Sequence, residues 1–459
     1  MSGLSPMTDV KILNSQHSDR LRMSTRFKVG GRTHTIAELI SGRREQQTTI
    51  LGWIQNKSTV GGVVFLTIRD GSGYIQTTVK RENVTAQAFE EAKNITIESA
   101  VKISGATKLD KRAPGGLEVV AKELEAVARS DVWPITKSAV KSSSFLYDIR
   151  HLSIRGRKAS SVIKIRSKIV EAAADYFFKN GFYLISAPSI VQSACEGGAT
   201  LFEVNYFGQK AYLTQSAQLY EEAAILALER VWTIEPCFRA EKSKTSKHLT
   251  EFWMIESEAA FATHDDIMQL EEELVCTIAN RVAEECSQEL RNLGRRFVPP
   301  DPPFYRITYD EARKFLAEKG VKFEWGEDIP TEGENIISRE YDRPVFVKEF
   351  PLAARSFYHM TKPGDDRVTL SSDLIAPEGY GEITTGGQRL SDYKELEKRV
   401  MQQELPREGF EWYLELRKYG LPPHSGFGLG VERLTRWICG LKHIRAASLF
   451  PRTLTRLNP

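Results

Sequence analysis

The sequence predicts an α+β chain built as two units, a small all-β unit followed by a larger one that mixes helices with strands. Three observations predict it. A chain of 459 residues with 41% hydrophobic content is too long for one ordinary core and has enough apolar residues to build two. Short β-type runs separated by glycine-rich turns occupy residues 36–131. Beyond residue 150, apolar residues recur every three to four positions in two long stretches, with strand-like runs between and after them.

Residues 1–35 are polar and irregular, with Arg20, Arg22, Arg26, Lys28 and Arg32 set against Asp9 and Asp19, which is the composition of a flexible extension. TTILGWIQ, VVFLTIRD, YIQTTVK, AVKISGAT and LEVVAKELEAVA then give five strands, punctuated by Gly61-Gly62, the DGSG of 70–73 and the APGG of 113–116. Strands of that number and spacing suggest a small closed barrel of the oligonucleotide-binding (OB) type over 36–131. The polar, serine-rich connection over 132–150 reads as a hinge. Within 151–459, SSVIKIRSKIVEAAADYFFKNGF has the spacing of an amphipathic helix stopped by Asn180-Gly181. HDDIMQLEEELVCTIANRVAEECSQELRNLG is a second, longer helix with an acidic first turn. KAYLTQ, VWTIEPCF, EFWMIESEAAF, RPVFVKEF and GYGEIT are strand-like.

The net charge of +3 gives a weak overall field, so a polyanionic partner must be met by local basic patches. No apolar run is long enough to cross a bilayer, and MSGLSPMTDVKILNSQHSDR lacks the apolar stretch of a secretory signal. A cytoplasmic protein with no membrane partner is expected. Cys195, Cys237, Cys276, Cys286 and Cys439 are odd in number, widely spaced and never paired as CxxC, which argues for reduced thiols and against a disulfide framework or a zinc site.

The densest chemistry lies in CFRAEKSKTSKHLTEF, residues 237–252. A strand ending in Arg239 and Glu241 runs into the polar loop KSKTSKHLT and returns as EFWMIESE, so those two side chains share a face while the loop carries Lys242, Lys244, Lys247 and His248. A cationic cap above a carboxylate suits a nucleoside triphosphate, with a guanidinium on the α-phosphate, loop cations on the outer phosphates and Phe252 under the base. A solvated basic hairpin is the alternative. GFGLGVERLTRWICG, residues 426–440, alternates glycine and enters a helix whose first turn holds Glu432 and Arg433. Glycines let a backbone approach a ligand, and an arginine at a helix start can grip phosphate.

These runs carry a family resemblance. Phe238-Arg239-Ala240-Glu241, with the loop and Phe252, resembles motif 2 of the class II aminoacyl-tRNA synthetases, and Gly426 to Arg433 resembles their motif 3. The helix from Ile163 through NGFYLISAPSI, with Pro188, resembles motif 1. A barrel ahead of the catalytic unit is the layout of the aspartyl/asparaginyl/lysyl subgroup. The resemblance implies a catalytic domain made of an antiparallel sheet flanked by helices, a homodimer with motif 1 at its interface, ATP and Mg2+ in the reaction, and tRNA as acceptor. It further implies an aminoacyl-adenylate formed with release of pyrophosphate, then attack by the terminal ribose hydroxyl of tRNA. Arg239 and Arg433 would be the catalytic cations, with Glu241, Lys247, His248, Leu249, Phe252, Gly430 and Glu432 around ATP, and Asp373 and Glu382 as magnesium ligands.

The resemblance narrows the amino acid to asparagine or aspartate. In LTQSAQLYEEAA, aspartyl members have a lysine at the position of Glu221, and Glu222 matches the glutamate that in asparaginyl members accepts a hydrogen bond from the substrate amide. A carboxylate facing the pocket repels aspartate, which favours asparagine. Gln218 belongs to the same run, Arg389 would hold the substrate carbonyl oxygen, and Glu196 in ACEGGA would bind the amino group. Thr384-Thr385 looks nearer to aspartyl members, Lys247 stands where arginine is usual, and Ala446 stands where an acid is common. An aspartate-specific or dual enzyme, and a paralogue with altered substrate, therefore stay open. In the barrel, Phe65 and Gln76 correspond to residues that meet the middle anticodon base, beside Lys57 in place of an arginine and with Glu118 aiding discrimination.

Overall fold

The computed structural model describes residues 29–136, 138, 142–192, 201–242, 247–403, 405 and 409–459. Most of the expected N-terminal extension, and Glu196, lie outside the described residues. The chain divides between Ser142 and Ser143 into two units.

In the first unit, strands Gln47–Val60, Val63–Arg69, Tyr74–Lys80, Leu117–Ala128 and Ala100–Leu109 follow one another around a closed barrel. The pairing is antiparallel except between Tyr74–Lys80 and Leu117–Ala128. Period-two alternation drives the closure: Val64, Leu66 and Ile68 enter a core with Ile50, Ile54, Ile75, Ile103 and Val119, while Phe65 and Thr67 stay on the outer face. At Gly105 a Cβ would sit 2.1 Å from the Val120 carbonyl oxygen, so only glycine allows the two strands to cross there. Strand periodicity does not reveal two helices. Ile36–Gly42 is opened by a Thr35/Glu38 capping box, so the change of pattern at Ile36 marks a helix rather than a first strand. Ala86–Asn94 is capped by Thr85.

The second unit is built on an eight-stranded sheet in the order Tyr305–Thr308, Val345–Lys348, Ser371–Ala376, Gly381–Gln388, His424–Gly430, Glu251–Ala260, Arg230–Phe238, Tyr183–Leu184. Its interior pairs are antiparallel, but the outermost pair at each edge is parallel. Parallel neighbours need long crossovers, here through helices Tyr309–Glu318 and Thr331–Glu340 at one edge and Gln218–Leu228 at the other. KAYLTQ falls outside this sheet, in a three-stranded one with Ile190–Val191 and Glu203–Tyr206.

Helices Arg157–Lys179 and His264–Glu285 supply Ile165, Ile169, Phe177, Leu274 and Ile278 to a core shared with Trp232, Ile255, Leu429 and Trp437 of the sheet and the final helix. Phe177 stacks on Trp232 at 4.9 Å between centroids. The second expected helix stops at Glu285, and a separate turn, Ser287–Leu293, follows Cys286.

Candidate active site

The hairpin expected around residue 240 forms between Arg230–Phe238 and Glu251–Ala260, with Cys237 opposite Phe252 and Phe238 opposite Glu251. Residues 243–246 at its tip, including Lys244, lie outside the described residues. Beyond the last strand pair the Arg239 N–H donates to the Thr250 carbonyl at 3.1 Å, which extends the ladder and fixes where the guanidinium emerges. That guanidinium lies 5.6 Å over the Phe252 ring. Strand His424–Gly430 pairs on the other side of Glu251–Ala260 and delivers Arg433 in the first turn of helix Val431–Cys439. A cavity of about 270 Å³ opens above these elements.

At one end of it stand Arg239, Glu241, Lys247, His248, Leu249, Phe252, Glu382, Gly430, Glu432 and Arg433. Arg433 forms an ion pair with Glu382. Burial opposes ionisation of Glu382, but Arg433, Arg239 and Arg355 outweigh it and hold this carboxyl below the ordinary range. Both arginines therefore address the same carboxylate. His248 is pushed down by burial and then by Arg433, which keeps its imidazole neutral near pH 7. Lys247 pairs with Glu334 at 2.9 Å. Glu432 is 2% exposed and committed elsewhere: it accepts from the Trp253 N–H at 2.9 Å and from Arg166 at 3.0 Å, so it fastens the wall of the cavity.

The other end is lined by Gln218, Glu221, Glu256, Tyr358, His359, Thr385 and Arg389. Arg389 gives Nε and Nη2 to Glu258 at 3.0–3.2 Å. Gly426 makes that pair possible, because a Cβ there would sit 1.9 Å from a Glu258 carboxylate oxygen. The glycine reserves space for a buried ion pair rather than only for a ligand. Glu256 accepts from the Ser216 hydroxyl and, at 2.8 Å, from the Ala217 N–H.

Glu222 is placed beside the cavity rather than in its lining. It is fully buried there, taking hydrogen bonds from Gln218 at 3.0 Å and Tyr413 at 2.8 Å, with Arg417 at 2.5 Å and His424 at 3.0 Å. Burial alone would raise its pKa, but Arg417 and His424 overcome that and hold it well below the usual carboxylate range. On helix Gln218–Leu228, Glu222 lies one turn beyond the cavity-lining Gln218 and bonds to it, while Glu221, turned about 100° from Glu222, lines the cavity itself.

Asp373 and Glu382 share the Thr385 hydroxyl, at 2.8 and 3.2 Å. Asp373 is buried outside the cavity wall, where its other oxygen takes a 2.6 Å hydrogen bond from Arg355. Burial raises it to about 7, against the pull of Arg355. Of the two, only Glu382 lines the cavity and could offer an oxygen to a hard divalent ion; both Asp373 oxygens are engaged, by Thr385 and Arg355.

On the barrel, Phe65, Gln76 and Glu118 occupy adjoining strands, and Gln76 Nε2 donates to Glu118 at 3.0 Å. Phe65 is half-buried on the outer face. Lys57 is spent differently, donating to the Lys93 and Ile95 carbonyls at 2.7 Å and tying down the end of helix Ala86–Asn94.

Sequence reasoning missed Gln215, Ser216, Glu256, Asp328, Arg355, Ser356, Tyr358 and His359, all of which line the cavity. A signal existed for Glu256 and Glu258: two acids on one face of a strand that is otherwise apolar demand buried partners. Arg355 and His359 come from an irregular segment without periodicity and gave none.

A family model described as tRNA synthetases class II (D, K and N) matches residues 142–454, and one described as an OB-fold nucleic acid binding domain matches 48–127. The chain belongs to the class II tRNA synthetases of the D, K and N group. Among curated members of this synthetase family it is 46% identical to the asparagine-tRNA ligase of Pelotomaculum thermopropionicum over 90% of this chain and 97% of that one. It is 45% identical to that of Thermococcus kodakarensis over 90% and 96%. Among solved synthetases, asparaginyl-tRNA synthetase from Pyrococcus horikoshii complexed with asparaginyl-adenylate superposes with a TM-score of 0.87 at 46% identity, over 90% of this chain and 96% of that one.

Proposed function

We propose that this chain is an asparagine-tRNA ligase, which activates asparagine with ATP to asparaginyl-adenylate and transfers it to the 3′ end of tRNA-Asn. The observation that carries this is the convergence of Arg239 and Arg433 on Glu382 at one end of a cavity whose other end holds Gln218, Glu221 and Arg389. It is supported by the 45–46% identity to curated asparagine-tRNA ligases and by the likeness to an asparaginyl-adenylate complex.

Arg239 neutralises the charge that develops as the asparagine carboxylate attacks the α-phosphorus and the bond to pyrophosphate breaks. His248 and Arg433 hold the outer phosphates, and Phe252 lies under the adenine. Glu382 would be the cavity-facing carboxylate for Mg2+, with Asp373 steadying it through Thr385, and the ion would supply charge neutralisation at the phosphates. No protein nucleophile is needed, and the rate comes from orientation and preorganised charge. Phe65, Gln76 and Glu118 read an anticodon base.

The chain acts as a homodimer. Phe178, Tyr183, Leu184 and Ile190, within and after the end of helix Arg157–Lys179, are each at least 45% exposed, which leaves apolar side chains in the motif 1 segment for a second copy to cover. The enzyme is placed in the cytoplasm; its four described cysteines are buried thiols outside any disulfide, and no helix among the described residues is long and apolar enough to cross a membrane. Amino-acid-dependent pyrophosphate exchange tests the function: exchange with asparagine is expected, and exchange with aspartate alone would overturn it.

A further inference from the structure

Helix Thr331–Glu340 sends one carboxylate to the nucleotide end of the cavity without lining it. Glu334 Oε2 accepts from Lys247 Nζ at 2.9 Å and, with the same oxygen, from the Glu382 N–H at 3.2 Å. Lys247 belongs to the hairpin loop and Glu382 to the start of strand Gly381–Gln388, and both line the cavity. A single oxygen thus ties together two walls drawn from distant parts of the chain. The junction reserves its own space. At Gly381 a Cβ would sit 2.6 Å from Glu334 Oε2 and 2.7 Å from Lys247 Nζ, and φ there is +77°, so neither the room nor the backbone admits a side chain. The Lys247 and Glu334 side chains are 10% and 17% exposed, so the pair is largely withdrawn from water and weakly screened by salt.

We infer that Glu334 is a positioning residue for ATP, acting through Lys247 and Glu382 without touching substrate itself. The inference rests on the proposed function and adds to it a residue outside the cavity lining. The chemistry of the cation makes such a tether useful. An ammonium is a point charge on a flexible four-carbon stem, without the planar fork by which a guanidinium orients itself. Held by a carboxylate oxygen, the stem has already lost much of the freedom that binding a phosphate would otherwise have to remove. The second bond acts on the acid that Arg433 meets. Because the Glu382 N–H is fixed by Glu334, the ion pair between Glu382 and Arg433 is fixed in place along the strand as well. Lys247, Glu382 and Arg433 are therefore set relative to one another before a triphosphate arrives, which is what preorganised charge requires.

The test follows asparagine-dependent pyrophosphate exchange by the full-length chain at varied ATP and at varied asparagine, comparing wild type with Glu334→Gln and Glu334→Ala. Glu334→Ala is expected to raise the KM for ATP by about tenfold to a hundredfold, the range for losing a hydrogen bond to a charged group, and to leave the KM for asparagine within about twofold. Glu334→Gln keeps an acceptor oxygen without the charge and is expected to fall between alanine and wild type. An unchanged KM for ATP in both variants would overturn the inference, as would equal rises for ATP and asparagine, which a merely structural role produces. In a Lys247→Ala background, Glu334→Ala is expected to add less than it does alone, and full additivity would overturn the route through Lys247. A readout free of the amino acid is the rise in melting temperature on adding ATP with magnesium, expected to shrink in Glu334→Ala. A wild type that exchanges with aspartate alone would overturn the proposed function, while the melting shift would still decide the role of Glu334.

Discussion

Arg355 sets its Nη2 atom 2.6 Å from Asp373 Oδ2 beneath the cavity, with the guanidinium stacked 3.6 Å from the centre of the Phe350 ring. The pair is enclosed, so each partner depends on the other for its charge. Arg355→Ala leaves Asp373 and Asp328 facing each other with less compensation, and breaking such a buried pair is expected to destabilise the second unit by about 3–5 kcal/mol. Urea unfolding followed by tryptophan fluorescence checks this; a loss below about 1 kcal/mol would place the pair in the range of solvated surface bridges.

Under the proposed function Arg433 works on substrate rather than on stability. Arg433→Ala releases Glu382 and, on the proposed function, removes the cation that holds the outer phosphates. Pyrophosphate exchange is expected to fall by about a hundredfold to a thousandfold, the range for losing one preorganised charge donor. The melting temperature should change little, because Arg433 is partly exposed.

Glu271 ties stability to pH. It is fully buried beside Thr384, and burial pushes its carboxyl from 4.5 up to about 8. The unfolded chain thus releases this proton at lower pH than the native one, so the contribution to stability is complete below about 4.5, falls as pH rises toward 8 and is flat above. The slope is roughly 1.4 kcal/mol per pH unit in that window. Glu271→Gln is expected to match wild type in thermal melts at pH 5 and to exceed it at pH 8; equal melting temperatures at both would exclude the effect.

On the barrel, Phe65→Ala is expected to raise the KM for tRNA while leaving pyrophosphate exchange untouched. Loss of one base–aromatic stack amounts to about 1–3 kcal/mol, roughly a five- to hundredfold change. Aminoacylation and exchange measured side by side separate this outcome from general damage to the fold.

Much of the architecture was legible because alternation and turn residues are local signals. The five barrel strands and the hairpin around residue 240 follow from period two and from glycine-rich turns. Helix Ile36–Gly42 and the parallel edge pairs did not show, since the first is too short for periodicity and the second depends on crossovers between distant segments. In the site, Arg239 and Arg433 were visible because each is flanked by a strand or a glycine run. Glu221 and Glu222 were both noticed, but the buried partners that hold Glu222 lie in distant parts of the chain and could not be read from its neighbours. Those partners, Tyr413, Arg417 and His424, are close to two hundred positions away in the chain.

One carboxylate links surfaces that otherwise have no reason to communicate. Glu432 holds Arg166, on the helix whose far end carries the exposed apolar side chains, and also the backbone of Trp253, which neighbours Phe252. Through those two bonds the position of the helix and the set of the wall beside Phe252 share one anchor, so replacing Glu432 is a single change that loosens both.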